Sequence, residues 1–193
     1  MPAYSEEQIL AGCRDKKRAY QEQLYCNYYS LFLKICARYA RNMLDAEQLL
    51  NDGFLKIFNS IDQYKNAGSF EGWMKKIIVN TCLDYLRLVG QKEEMSMSEK
   101  SVPAEESNVS VSNYCIENME FKEMVRLIQS ISPVSRTVFN LYVFEGYNHK
   151  EISEQLNISI GTSQWHLHYA RTFLQEKIKK SEHKIKSYET RRI

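Results

Sequence analysis

From Ala19 to Leu88 apolar and aromatic side chains recur three or four positions apart, the interval at which one face of an α-helix returns. Leu24, Tyr28, Leu31, Ile35 and Tyr39 trace one stripe, and Leu49, Leu50, Phe54, Ile57 and Phe58 another. Asp45 is placed to cap the second helix, which runs out near Asn59 and Ser60. KNAGS at 65–69 interrupts the pattern, and a third helix is expected from about Phe70 to Leu88. Trp73, Ile77, Cys82 and Leu86 are among its apolar positions. Amphipathic helices in this number can close a small bundle. Seven Gly and three Pro in 193 residues are too few for a hairpin-rich fold. The expectation is an all-α protein.

Gly90 is expected to end the regularity. The stretch 91–113 that follows is rich in Ser and Glu and has no aromatic residue, so it buries too little surface to offset the entropy of ordering it. It reads as a flexible acidic linker over 91–115, separating a helical domain at 1–90 from a second at 116–178, with a basic tail at 179–193. Charge follows the same division: 12 basic and 10 acidic side chains in 1–88, two and seven in 89–120, 12 and seven in 121–193. The basic lobes would tolerate a polyanion, and a solvated face explains such modest charge equally well.

In the second domain, helical pattern resumes near Ile116 and passes Phe121, Val125 and Ile128. Ser132-Pro133 reads as an N-cap followed by Pro at the first helical position, and Gly146 as a helix stop after Phe144. Beyond it, Ile152 and Leu156 edge one short helix, Asn157 suits a left-handed turn, and Ser159 can cap a second. Ser163, Leu167, Ala170 and Leu174, in steps of four, three and four, form that helix's inward face. Thr162, Gln164, Trp165, His168, Tyr169, Arg171 and Thr172 are left facing outward. This is the pattern of a helix-turn-helix that offers its second helix to a DNA groove, or of a helical hairpin inside a larger bundle.

Other classes are poorly supported. Phosphate-binding glycine loops, H-E-x-x-H and nucleophile motifs are missing, so no catalytic residues, cofactor or small-molecule substrate are expected. His166 and His168, two apart on a helix, point to different faces, so no metal site is expected either. The five Cys form no C-x-x-C, and those in apolar patterns read as reduced structural thiols. With no signal-peptide core in MPAYSEEQIL and no membrane-length apolar run, a soluble, cytoplasmic protein is expected.

Three blocks together resemble a two-domain sigma factor of the extracytoplasmic-function type, over roughly residues 15–178. AEQLLNDGFLKIF (46–58) resembles the family's polymerase-docking helix, SFEGWMKKIIVNTCLDYLR (69–87) its promoter-melting segment, and 131–174 its C-terminal helix-turn-helix domain. The resemblance implies minus-ten recognition and melting through Tyr64, Lys65, Trp73, Lys76, Asn80, Asp84 and Arg87. Of these Asn80 matches the family Asn beside the flipped base, and its amide can both donate to and accept from a base edge. By position Trp73 reads more as a core anchor than as a stacking platform, and Asp84 equally well as an intrahelical partner of Arg87. Docking on the β′ clamp helices is implied for the outward face carrying Glu47, Asp52, Phe54 and Lys56, with Gln48 where an acidic residue is frequent.

Minus-thirty-five recognition is implied for Lys150, Thr162, Gln164, Trp165, His168, Tyr169 and Arg171. Here the chain departs from the family: GTSQWHLHYAR stands where a more basic run is frequent, which puts the usual upstream sequence in doubt. Gln164 suits adenine, Arg171 phosphate, and Trp165 or His168 a thymine methyl. Implied partners are core RNA polymerase (β′ clamp helices and β flap), promoter DNA and an anti-sigma factor. The acidic linker either enters the polymerase near the RNA path or is a solubilising spacer. A helix-turn-helix regulator acting without the polymerase core, and a decoy that only captures an inhibitor, are the competing readings.

Overall fold

Ser5 starts the first helix, α1 (Glu6–Arg14), with a capping box: its hydroxyl accepts from the Gln8 amide while the Gln8 side chain accepts from the Ser5 amide. The computed structural model describes residues 4–96 and 119–190. Ile9, Leu10 and Cys13 of α1 are buried, and Gly12 lies so close to α2 (Arg18–Tyr39) that an added Cβ would sit 2.2 Å from the Tyr20 ring. The helix periodicity outlined above begins only at Ala19, so α1 is an addition to it.

The chain divides into two units, Met1–Glu117 and Asn118–Ile193. In the first, α2, α3 (Met43–Ser60) and α4 (Phe70–Ser96) pack against one another, with a 3-10 turn at Ile61–Gln63. Phe32, Tyr39, Leu50, Phe54, Ile57, Phe70, Met74 and Ile78 are each at most 2% exposed. Burying a side chain of this size is worth about 1.5–3 kcal/mol, so these residues dominate the unit's stability. Gly53 lets α3 and α4 approach closely: a Cβ there would meet Ile78 Cδ1 at 2.4 Å. Cys36 and Cys82 fill the same core as free thiols, their sulfurs 4.0 Å apart.

Three local expectations are corrected, and the inward face of α4 is defined. The α3 cap is Asn42, whose side chain accepts from the Asp45 amide, and Asp45 stands in the first turn instead. In α2, Phe32 is buried where Leu31 was expected, and Leu31 is 42% exposed. In α4 the inward series runs Phe70, Met74, Ile78, Cys82 in steps of four; Trp73, Ile77 and Leu86 are half-buried on its flank. Finally, α4 continues through Gly90 to Ser96. One interior Gly costs about 1 kcal/mol, and the Gln, Lys, Glu and Met after it are strong helix formers. The rest of the expected linker, Ile116 and Cys115 lie outside the described residues.

The second unit holds α5 (Met119–Gln129), α6 (Pro133–Val143), α7 (His149–Leu156) and α8 (Ile160–Thr190). Ser132 and Pro133 open α6 as expected, although the Ser132 hydroxyl accepts from no backbone amide and instead donates to Ser135 Oγ. Arg136, 5% exposed, donates to the Gln129 carbonyl and so ties α6 to the end of α5. Gly146, at φ 76°, reverses the chain after α6. Asn148 caps α7 through a second capping box. Asn157 adopts the left-handed conformation (φ 54°, ψ 48°), and Ser159 Oγ accepts from the Thr162 amide at 3.0 Å to begin α8. Helix α8 runs past 178 into the expected basic tail.

Candidate nucleic-acid interface

Two concavities open along α3 and α4. One, of about 470 Å³, has an apolar floor including Leu49, Leu55 and Leu88, with Asp45, Gln48, Asp52 and Tyr85 among its polar lining. The other, of about 450 Å³, is lined by Lys56, Asn59, Ser60, Gln63, Ile77 and Asn80. Lys56 borders both. Its Nζ is 3.0 Å from Asp84 Oδ2, and Arg87 donates to the other oxygen of Asp84 at 3.3 Å. These groups are about half exposed, so the pairs add little stability and serve to hold α3 and α4 side chains in register. Asp84 therefore has the Arg87 partner read from its spacing and a second, Lys56, from the neighbouring helix.

Beside them, Asp45 accepts from Tyr85 OH at 2.6 Å and from Arg41 Nε at 3.0 Å. Burial, and then the hydrogen bond to Asp45, push the Tyr85 phenol up to about 12. Tyr85 thus stays neutral and bridges α3 to α4.

The aromatic candidates gather at the start of α4. Tyr64 is 6% exposed; its hydroxyl donates to the Gly68 carbonyl at 2.7 Å and its own carbonyl accepts from Arg14 Nη2 at 2.7 Å. Trp73 is half-buried, stacked on Phe70 (5.9 Å between centroids, 13°) and 5.5 Å from the Tyr64 ring. Tyr64 is a brace for the loop that carries Lys65, and Trp73 lies between anchor and platform. Lys65, Lys76 and Arg87 are exposed.

Phe54 requires a correction. It was assigned both to the apolar stripe and to the outward docking face, and at 2% exposure, with its ring 4.6 Å from Tyr25 and 5.8 Å from Phe32, it belongs to the core. Four residues after Leu50 and three before Ile57, it could not turn outward without taking the stripe with it. Asp52 and Lys56 are exposed and Glu47 is half-buried. The apolar residues that do face out are Leu44 and Leu55, 59% and 60% exposed. Leu44, Gln48, Asp52 and Leu55 follow one another in steps of four, four and three, a second stripe that was present in the sequence.

In the second unit, Ser163, Leu167 and Ala170 are buried and Leu174 half-buried, while Gln164, Trp165, His168, Tyr169, Arg171 and Thr172 are exposed and Thr162 is half-buried. Lys150, on α7, is also exposed. Two serine–histidine contacts lock the helices together: His149 Nδ1 to Ser163 Oγ, and His166 Nδ1 to Ser135 Oγ, both 2.9 Å. Ser135 Oγ also accepts from Ser132, and the direction of its hydrogen bond with His166 follows the His166 tautomer. Burial lowers the His166 pKa from 6.5. A depressed histidine pKa means that stability is full above 6.5 and is lost as pH falls through the folded-state value. Thermal melting of the second unit should therefore drop on mild acidification, and His166→Gln should flatten that dependence.

Residues 24–90 match the family model for sigma-70 region 2, and residues 121–174 that for sigma-70 region 4. The ECF RNA polymerase sigma factor SigE of Mycolicibacterium smegmatis is 28% identical over 149 residues, covering 76% of this chain and 57% of that protein. The chain thus spans little more than half of that relative's length. The RNA polymerase sigma-H factor of Pseudomonas aeruginosa is 22% identical over 169 residues, covering 82% of this chain and 85% of that one. Among solved structures, the sigma factor RpoE of Bartonella quintana, solved in complex with the anti-sigma factor NepR, superposes with a TM-score of 0.53 at 18% identity, over 82% of this chain and 96% of that one. That likeness speaks for the fold. With both region models matched in order on two helical units, the chain belongs to the sigma-70 family, in its extracytoplasmic-function branch.

Proposed function

We propose that the chain is a transcription initiation factor that binds core RNA polymerase, recognises a promoter and opens it, with no catalytic role of its own. The observation that carries this is Asn80 in a polar concavity with Lys56, Asn59, Ser60 and Gln63, on the unit that matches sigma-70 region 2. A base leaving the duplex needs such an amide to pair its edge and cations nearby to hold phosphate. In this reading Lys65, Lys76 and Arg87 hold the backbone, Trp73 replaces lost stacking, and Tyr64 supports the loop between them. Asp84 positions Lys56 and Arg87. Docking on the β′ clamp helices uses Glu47, Asp52 and Lys56, with Leu44 and Leu55 as the apolar contacts. The second unit reads the minus-thirty-five duplex and rests on the β flap.

The RpoE relative was solved with an anti-sigma factor, and an inhibitor of that class is proposed here too. No described helix is long and apolar enough to cross a membrane, which supports action in the cytoplasm.

The test is reconstitution with purified core polymerase on supercoiled template. Promoter-specific initiation that needs both components is expected; tight operator binding by the chain alone, without polymerase, would favour a plain regulator. Asn80→Ala should reduce promoter opening by roughly 5- to 150-fold, the loss of a base contact worth about 1–3 kcal/mol. Polymerase affinity should not change. Unaltered permanganate reactivity of the minus-ten thymines would rule out the assigned pocket.

A further inference from the structure

On α8, the Trp165 and Tyr169 rings stack at 5.5 Å and 17°, and Tyr169 continues onto Phe173 at 6.2 Å and 21°. Lys177 Nζ lies 5.5 Å from the Phe173 ring centroid, closing the ladder with a cation. Trp165 is 58% and Tyr169 39% exposed, on the side of the helix away from Ser163, Leu167 and Ala170. A helix that reads a major groove contacts base edges with its N-terminal residues. From Gly161 to Ala170 that segment carries no Lys or Arg. Arg171, next in the chain, has its guanidinium 5.6 Å from the centre of the Tyr142 ring, on α6. Guanine is read above all by a bidentate cation at O6 and N7, and the first two turns of α8 hold none.

What they do hold is suited to A·T pairs. Gln164 is exposed and can pair with adenine N6 and N7. A thymine presents a C5 methyl group, the one apolar feature of the major groove, and an aromatic surface can cover it. We propose that α8 selects an A·T-rich upstream element, with Trp165 and Tyr169 packed on thymine methyls and Gln164 paired with adenine. The ring stack fixes both aromatics before binding, so little side-chain freedom is lost when they meet the groove. His168, also exposed, suits the N7 of either purine and does not discriminate between them. The charge of residues 121–193, 12 basic against seven acidic side chains, admits a polyanion, and the helix-turn-helix that presents α8 favours duplex DNA over a protein as its occupant.

The inference rests on the promoter-reading function proposed above and is tested in a form that separates the two. Holoenzyme reconstituted from the full chain and core polymerase is used to select from duplexes randomised across the promoter. An A·T-rich upstream segment is expected. Replacing its thymines with deoxyuridine removes only the methyl groups, and binding should fall about fourfold for each covered methyl. Trp165→Ala should bring the thymine-to-uracil ratio close to one, and Trp165→Phe should retain part of it. A G·C-rich selected element, or uracil templates bound as well as thymine ones, overturns the inference while leaving the initiation function standing. So does a Trp165→Ala variant that weakens both templates equally or changes neither, which would make the ladder a protein-docking face. Failure of the chain to join polymerase at all would instead remove the function on which the inference rests.

Discussion

Phe54→Ala should destabilise the first unit by about 3–5 kcal/mol, the range for truncating a fully buried aromatic side chain. The ring is 2% exposed and meets Tyr25, Phe32 and Phe58, so its removal leaves a cavity bounded by side chains of both α2 and α3. Domains of this size have only about 5–15 kcal/mol in hand, and a loss of this order leaves a substantial unfolded population on warming. Polymerase association would fall too, as a consequence of unfolding. Leu55→Asp is the contrasting variant. Leu55 is 60% exposed, so its replacement should move the melting temperature little while weakening association with the polymerase core. Chemical denaturation and a polymerase pull-down on the two variants separate the roles. If Phe54→Ala melts like the wild type yet no longer binds polymerase, the core assignment of Phe54 is wrong.

That pair of neighbours shows what the sequence made legible and where it misled. The stripe of which Phe54 is part was readable from spacing alone. Its simultaneous place on a docking face is implied only by the family resemblance, and a matching motif does not say which way a side chain turns. The helix-turn-helix was legible almost residue by residue, because its signals are local. Asn157 tolerates a positive φ, Ser159 offers an oxygen to a free amide, and the Ser163, Leu167, Ala170 series leaves one face for packing. Signals were also present for α1 in Ser5 and Gln8, a capping box written in four residues. Gly90 misled because a glycine inside a run of strong helix formers is a cost and not a stop. Long-range pairings carried no sequence signal: Lys56 with Asp84, 28 positions on, and Tyr85 with Asp45, 40 positions back. The Asn80 concavity was equally hidden, since Asn59, Ser60 and Gln63 reach it only once α3 and α4 are packed.

Ser163→Leu should cost the second unit about 3 kcal/mol and abolish duplex recognition without affecting docking through the first. Ser163 is fully buried, and its hydroxyl is 2.9 Å from His149 Nδ1. Two penalties therefore combine. Leucine adds volume at a site chosen for a small side chain, which pushes α8 off its partners by overpacking. It also removes the hydroxyl, leaving a half-buried imidazole nitrogen without that contact, while the ring stays stacked on Tyr142 at 4.8 Å. Tyr142 in turn faces Arg171, so displacement travels to the outward side of α8. Ser163→Ala isolates the second penalty, and should cost only about 0.5–1.5 kcal/mol with the helix still seated. The measurement is thermal unfolding of each variant, paired with footprinting of the upstream promoter region by the reconstituted holoenzyme. Wild-type upstream protection by Ser163→Leu would mean that α8 need not be held at this depth to read DNA. It would also detach the outward face, with Gln164, Trp165 and Tyr169, from the packing argued to present it.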